Sequence, residues 1–376
     1  MTVASSLGIP SVSNMKFLIT FLLLGWIGTT EASLLRQGYE FPRATGMGNA
    51  FIALADDANA IFYNPAALAK VKGVHLHLVD ANLSVDGMGT LDRIKRAIFD
   101  SEYDNLIDPN KQVLGFNLKP TFITPYFGLA LYNQAFGYFD IQSLQGTNVD
   151  IFSYNDLGVA VAFGIPLSEY FSFGIGLRAV QRTGVDLLTT PEDLITDIGL
   201  SAGNITSNIY GALKKYIGVG YGFPLSLGGM ITLPRITQSA PLIRFAVQVE
   251  DIGTTTYTKI SGASAPTPTR MSYNFGSLLQ YSLSKNTTLN VTMDLKHQFE
   301  SLPFVKTFHL GTELRNKYFG IRGGVYHGYP TFGFSIEFPP HTRLHFSSYS
   351  MELGDKLWEK EQRWYQVQFV IGFNPL

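Results

Sequence analysis

The stretch NVTMDLKH, residues 290–297, sets Val291, Met293 and Leu295 on one side and Asn290, Thr292, Asp294 and Lys296 on the other. Side chains of an extended chain point alternately to its two faces, so this reads as a strand with two unlike surfaces. The pattern repeats on both sides of it. Phe171, Phe173, Ile175, Leu177 and Ala179 alternate with Ser172, Gly174, Gly176 and Arg178. Ile243, Phe245, Val247 and Val249 alternate with Arg244, Gln248 and Glu250, and Phe332, Phe334, Ile336 and Phe338 with Gly333, Ser335 and Glu337. From residue 74 to residue 373 the chain supports about 14 such strands.

Alternation fits a soluble sandwich as well as a membrane barrel, since both bury one face. The connections separate them. Short turns at Thr124-Pro125, Leu167-Ser168, Ser284-Lys285, Asn316-Lys317 and Pro339-Pro340 alternate with longer segments at 86–113, 184–216, 254–269 and 352–362. Short turns at one rim and long loops at the other are the outer-membrane arrangement. Composition agrees. Only 15% of the 376 residues are charged, against 28 Phe and 19 Tyr, where a soluble chain carries roughly 25% charged residues. With 28 basic and 29 acidic residues, no cationic excess exists to displace phosphate counterions, which excludes nucleic acid as the partner. The absence of cysteine excludes a disulfide framework and any thiolate metal site. Past the N-terminus no apolar run reaches the length of a membrane helix, so a membrane-bound chain has to be a closed β-barrel.

Residues 1–32 read as an export signal. Met15-Lys16 is a basic start (Met15 being an alternative initiator), Phe17 to Ile27 is apolar, and Thr30-Glu31-Ala32 offers small residues where a signal peptidase reads. Two loops carry helical spacing, at Leu91, Ile94, Ala97 and Ile98 and at Ile198, Ala202, Ile205, Ile209 and Leu213. These either cap the barrel mouth or offer an apolar landing surface. The last strand, Tyr365 to Phe373, ends in an aromatic. It resembles the signal read by barrel-assembly machinery, with Asn374-Pro375-Leu376 as an overhang.

Between the export signal and the first strand lies FPRATGMGNAFIALADDANAIFYNPAAL, residues 41–68. It is too rich in Gly and Ala to build a core alone and has to pack inside something else. Its order of Gly-x-Gly-x-Ala (Gly46, Gly48), Ala-Asp-Asp-Ala (Asp56, Asp57) and Asn-Pro-Ala-x-Leu (Asn64, Pro65) resembles the N-terminal hatch of the FadL-type transporters of bacterial outer membranes. The resemblance implies a hatch over 33–72 inside a transmembrane barrel over 73–376. It implies outer-membrane lipid around the barrel and a hydrophobic small-molecule ligand, a long-chain fatty acid or similar. Such a ligand lands on the external loops and leaves sideways through the wall. A non-transporting, PorV-like branch shares the motif and serves secreted proteins as scaffold or partner. A continuous apolar pocket under the loops would favour transport, and a plug packed without one would favour scaffolding.

The candidate site residues follow. Asp56 and Asp57 should meet basic residues on inward faces, where Arg178, Arg182, Arg244, Arg322 and Arg343 fall, or else start a helix through Asn59-Ala60. Arg178, Arg244, Glu250, Asp294, Lys296, Arg322 and Arg343 are lumen charges of both signs, suited to bracing the barrel. In the third strand Asn133, Ala135 and Gly137 interrupt an apolar face, which suggests a bulge or inward kink and a lateral opening, or a polar residue at headgroup depth. No catalytic, metal or cofactor site is expected. His75 and His77 lack a third ligand, and His345 near Ser347 lacks an orienting acid.

Overall fold

The computed structural model describes residues 40–87, 89, 90, 92, 96, 112–140, 149–190, 193, 216–237, 239–298, 300, 302–338, 342–353 and 356–373. The expected export signal, the two helical loop segments, the Pro339-Pro340 turn and the Asn374–Leu376 overhang lie outside them. Strand segments begin with β1 (His75–Val85), β2 (Gln112–Leu118), β3 (Thr121–Thr124), β4 (Phe127–Asp140), β5 (Val149–Pro166) and β6 (Phe171–Thr189). They continue with β7 (Gly218–Gly222), β8 (Leu225–Thr232), β9 (Leu242–Glu250), β10 (Thr258–Gly262), β11 (Ser272–Ser284) and β12 (Thr287–Gln298). The last are β13 (Phe308–Asn316), β14 (Phe319–Tyr326), β15 (Tyr329–Phe338), β16 (Thr342–Glu352) and β17 (Glu361–Phe373).

Three wall strands are each made of two segments. β2 and β3 both pair with β1 and β4; β7 and β8 both pair with β6; and β9 is continued by β10, which pairs with β7. The wall therefore has 14 antiparallel strands, closed where β1 pairs with β17. Two of the interruptions are prolines, Pro120 and Pro224, which have no N–H to donate. Their carbonyls still accept, from Leu131 N at 3.0 Å and Arg178 N at 2.9 Å, so the register carries through. β1 itself bulges between His77 and Val79.

The faces are inverted relative to a soluble protein. Leu131, Leu177, Phe245, Phe334 and Phe369 point outward and are exposed, while Asp294, Glu313, Arg322, Ser347 and Gln368 are buried inside. Apolar-out, polar-in alternation around a closed sheet is the solution that satisfies every backbone group in hydrocarbon. The chain is a closed 14-strand antiparallel β-barrel, with the apolar outer face that a membrane-spanning barrel requires.

Residues 41–68 are enclosed by this wall, and of them only Asp56 is exposed. Short helices at Pro42–Thr45 and Ala60–Tyr63 and a 3-10 turn at Pro65–Lys70 are joined by irregular backbone. The close approach depends on missing side chains. A Cβ at Gly174 of β6 would overlap the backbone nitrogen of Ala66, and one at Gly311 of β13 would overlap the carbonyl of Met47.

Candidate functional site: the lumen and its wall

Charged groups fasten the enclosed segment. Arg43 Nη1 donates to Asp56 Oδ1 at 2.5 Å and Asp57 Oδ2 at 2.8 Å, while its Nε and Nη2 donate to Glu313 Oε1 and Oε2 at 2.9 and 2.8 Å. Glu313 also accepts from Arg322 Nε at 2.7 Å and Asn290 Nδ2 at 3.0 Å. A planar guanidinium suits this fork, since it presents five donors in fixed directions. Burial by itself would raise the Asp57 carboxyl, but the adjoining Arg43 guanidinium holds it well below the usual carboxylate range.

This corrects the expectation that wall arginines would hold Asp56 and Asp57. Their hydrogen-bonding partner is Arg43, of the same segment; from the wall Arg315 lies 4.0 Å from Asp56, and Arg244 and Arg343 act on Asp56 and Asp57 respectively from farther away. The wall arginines are engaged elsewhere. Arg178 bonds Asp251 at 3.0 Å, with Glu250 at 3.7 Å; Arg182 clasps Asp156 at 2.7 Å; Arg244 donates to the Ala53 carbonyl at 3.1 Å; and Arg343 meets His77 at 2.7 Å. Asp57 Oδ1 also accepts from Asn59 N at 2.9 Å, the residue before the helix Ala60–Tyr63, whose own first N–H groups take no side-chain cap.

The remaining expected residues also meet here. Asp294 Oδ2 accepts from Phe51 N and Ile52 N at 2.7 and 3.0 Å, and Lys296 Nζ lies 5.0 Å from the Tyr63 ring. Asn64 donates to the Ile52 carbonyl at 3.2 Å and accepts from Ala66 N at 3.0 Å, with Pro65 opening the 3-10 turn. Gly46 packs on the Gly333 backbone, and Gly48 holds φ +64. Lys119, between β2 and β3, donates to Asn59 and lies 3.5 Å from both Asp80 and the centre of the Phe41 ring. His75 meets the Lys72 carbonyl while His77 turns to Arg343 and Asp80, so the two imidazoles do not converge.

An aromatic interior went unread in the sequence. Phe136 stacks on Trp364 at 5.6 Å with its planes 14° apart, and Tyr349 lies 5.9 Å from Trp364 and 5.5 Å from Tyr326. Phe152 and Tyr154 flank Phe136. Glu40 sits among these rings and accepts from Tyr326 Oη and, at 2.7 Å, from Tyr349 Oη. Burial pushes its carboxyl up, against the opposing pull of the two phenols. The missed signal is that β4 and β5 carry aromatics at inward parity, Phe136, Tyr138, Phe152 and Tyr154, where most of the inward face is polar or small.

The strand carries no bulge at Asn133–Gly137, which corrects that part of the expectation. Asn133 pairs with Leu118 and Leu157, Ala135 with Phe116 and Asn155, and Gly137 with Leu114 and Ser153, in unbroken register. The polar demand of Asn133 is met across the strand, where its Nδ2 donates to Asn155 Oδ1 at 2.9 Å. Concavity nevertheless gathers here. A cavity of about 580 Å³ on the outer face runs from Leu118 and Pro120 past Leu131, Asn133 and Leu157 to Tyr221 and Phe223. A second, of about 310 Å³, is lined mostly by outward positions that include Phe116, Ala135, Gly137 and Asn155. A third, of about 30 Å³, lies inside against Glu40, Asn82, Asn117 and Trp364 and again touches Phe116 and Ala135. The same β2–β4 seam is thus hollowed on both sides.

Fold and lumen together define a tightly packed segment, residues 41–68, enclosed in a closed 14-strand β-barrel. No protein-family model and no curated protein matches the chain. Among solved structures it is similar to the TodX deltaS2S3 mutant monoaromatic hydrocarbon channel, at 14% identity and TM-score 0.49 over 90% of this chain and 99% of that one. It is similar to the CymD monoaromatic hydrocarbon channel, at 14% and 0.49 over 91% and 99%. The Ralstonia pickettii toluene transporter TbuX gives 12% and 0.48 over 90% and 99%.

Proposed function

We propose that this barrel passes hydrophobic small molecules between its lumen and the surrounding bilayer, with residues 41–68 acting as a hatch. The observation that carries this reading is the doubly hollowed seam, where Phe116 and Ala135 border an inner and an outer cavity at once. Gly115, Ala135 and Gly137 make the wall thin there, and at Pro120 the same wall strand has no N–H to contribute. A molecule leaving by this seam enters hydrocarbon directly and avoids the polar headgroups and water that lie along the barrel axis. Aromatic rings above the hatch give it an apolar surface to cross first.

The chain has no native cysteine, so Phe116→Cys with Ala135→Cys, a directly opposed pair, supplies a clean cross-link. Oxidation should abolish uptake of a hydrophobic fluorescent probe by cells carrying the barrel, and reduction should restore it. Uptake unchanged by a fully formed bridge would overturn the route. A second reading is supported by the tight packing of residues 41–68 and the small volume of the inner cavity. It is a non-transporting barrel that serves as scaffold or partner for secreted proteins, and it predicts no barrel-dependent uptake in either redox state.

A further inference from the structure

One of the long connections turns inward. Between β9 and β11 the chain forms β10, which pairs with β7, and then returns along the lumen side of β7. β7 makes room with Gly218, Gly220 and Gly222, which pair with Gly184, Arg182 and Val180 of β6, all at inward parity. A Cβ at Gly218 would overlap the Ser264 carbonyl, one at Gly220 would lie 2.9 Å from Pro266, and one at Gly222 3.0 Å from the Tyr257 ring. Glycine in a strand often marks such a close approach of another backbone, and three in alternation form a track. Tyr257 and Pro266 are buried on it, whereas Thr258 to Ala265 are exposed.

One wall residue latches this strap. Arg182 closes its Nε and Nη2 on Asp156, both at 2.7 Å. Its Nη1 turns to the strap, donating to the Thr267 carbonyl at 3.2 Å and to Thr269 Oγ1 at 3.0 Å. The guanidinium also lies 4.7 Å from the centre of the Tyr154 ring and 4.4 Å from that of Tyr257. Tyr154 belongs to the aromatic interior and Tyr257 to the strap, so one cation joins the two. Thr267 Oγ1 donates in turn to Asp186 at 2.9 Å. At its root the strap leaves β9 through Asp251, Gly253 and Thr254, all at positive φ. Left-handed backbone is costly for the two that are not glycine, and a few residues at the end of an element are where a hinge absorbs its motion. Arg182 meets the strap through neutral oxygens, whereas residues 41–68 are fastened by charges on both sides. The strap is the easier of the two to release.

We propose that residues 251–271 form a gate at the external mouth of the barrel, closed in this structure. It swings about Asp251–Thr254 when Arg182 lets go of Thr267 and Thr269, and so admits solutes to the aromatic interior beneath it. This rests on the lumen being the path of hydrophobic molecules, as proposed above, and adds the element that opens it. The test uses the whole barrel in liposomes with Trp358→Phe, which leaves Trp364 as the one indole past residue 32, and acrylamide as a quencher arriving from water. Arg182→Gln should raise the quenching constant of Trp364 about fivefold. Asp186→Cys with Thr267→Cys, joined by a short bis-methanethiosulfonate, should return it to the parent value even with Arg182→Gln in place, and reductant should raise it again. Quenching that a fully formed bridge leaves unchanged, or that Arg182→Gln leaves unchanged in a barrel of normal heat-modifiable mobility, would overturn the gate and make the strap a fixed part of the wall. Should Arg182→Gln fail to fold, the bridge on the otherwise unaltered latch still decides. The route is judged separately. Uptake insensitive to the 116–135 bridge with strap-dependent quenching intact removes the route and keeps the gate, and the converse pair of results does the reverse.

Discussion

At the scale of single residues, Arg43 is the fastening on which the enclosed segment depends most. It joins two acids of its own segment to Glu313 of the wall while nearly fully buried. Removing one member of a buried ion cluster leaves charges unpaired and costs about 3–5 kcal/mol. Arg43→Ala should therefore loosen the segment without unfolding the wall. The expected readout is higher current in planar bilayers and protease cleavage within 41–68, with heat-modifiability retained. Acid should act through Asp57. A carboxyl held below its ordinary value stabilises the folded state above that value and loses the contribution as pH falls through the depressed one. Current should stay low from neutral pH down to about pH 4, the ordinary Asp value, and rise only below it. Glu40 is shifted the other way and adds nothing to this loss. A rise in current beginning near pH 6 would contradict the assignment to Asp57. Arg43 was invisible as a partner in the sequence, because an arginine in a Gly- and Ala-rich stretch carries no periodic signal. The inward arginines were legible from alternation alone.

At the scale of elements, the wall strands were plain in the sequence, since each repeats one physical requirement, apolar outside and polar inside. Connections and breaks at Lys119-Pro120 and Phe223-Pro224 were harder to place, as they change the bonding without changing the register. The bulge expected at Asn133 is absent for a related reason. A polar side chain on an apolar face can be satisfied by its cross-strand neighbour as well as by a kink, and here Asn155 does so. Glycines on inward faces read as gaps in the alternation, but their use appears only with the enclosed segment in place. Gly174→Ala drives a methyl into the Ala66 backbone, whereas at Gly323 the nearest atom lies 3.8 Å from an added Cβ. Gly174→Ala should displace the segment and raise both current and protease sensitivity. Gly323→Ala should match the parent barrel in both assays. Equal behaviour of the two variants would show that close approach at Gly174 is not required.

At the scale of the whole molecule, the wall's ladder is complete without residues 41–68, which contribute no wall strand. Deleting them should leave a barrel that assembles and still runs heat-modifiably, but that leaks small polar solutes, as liposome swelling would show. Swelling no faster than with the parent barrel would place the diffusion block elsewhere. The fold as a whole was legible because closure, alternation and loop parity all state the same constraint. The aromatic interior was not, because a ring at inward parity looks like an exception until its neighbours stack on it. The closing seam between β1 and β17 has a consequence for biogenesis. It joins the earliest wall strand to the last, across almost the whole chain, so it is the pairing with the largest loop to close. Residues 41–68 immediately precede β1 yet touch walls from β4 to β17. A wall that closes at that seam last has to gather them in beforehand, the contents loaded and the container then sealed around them.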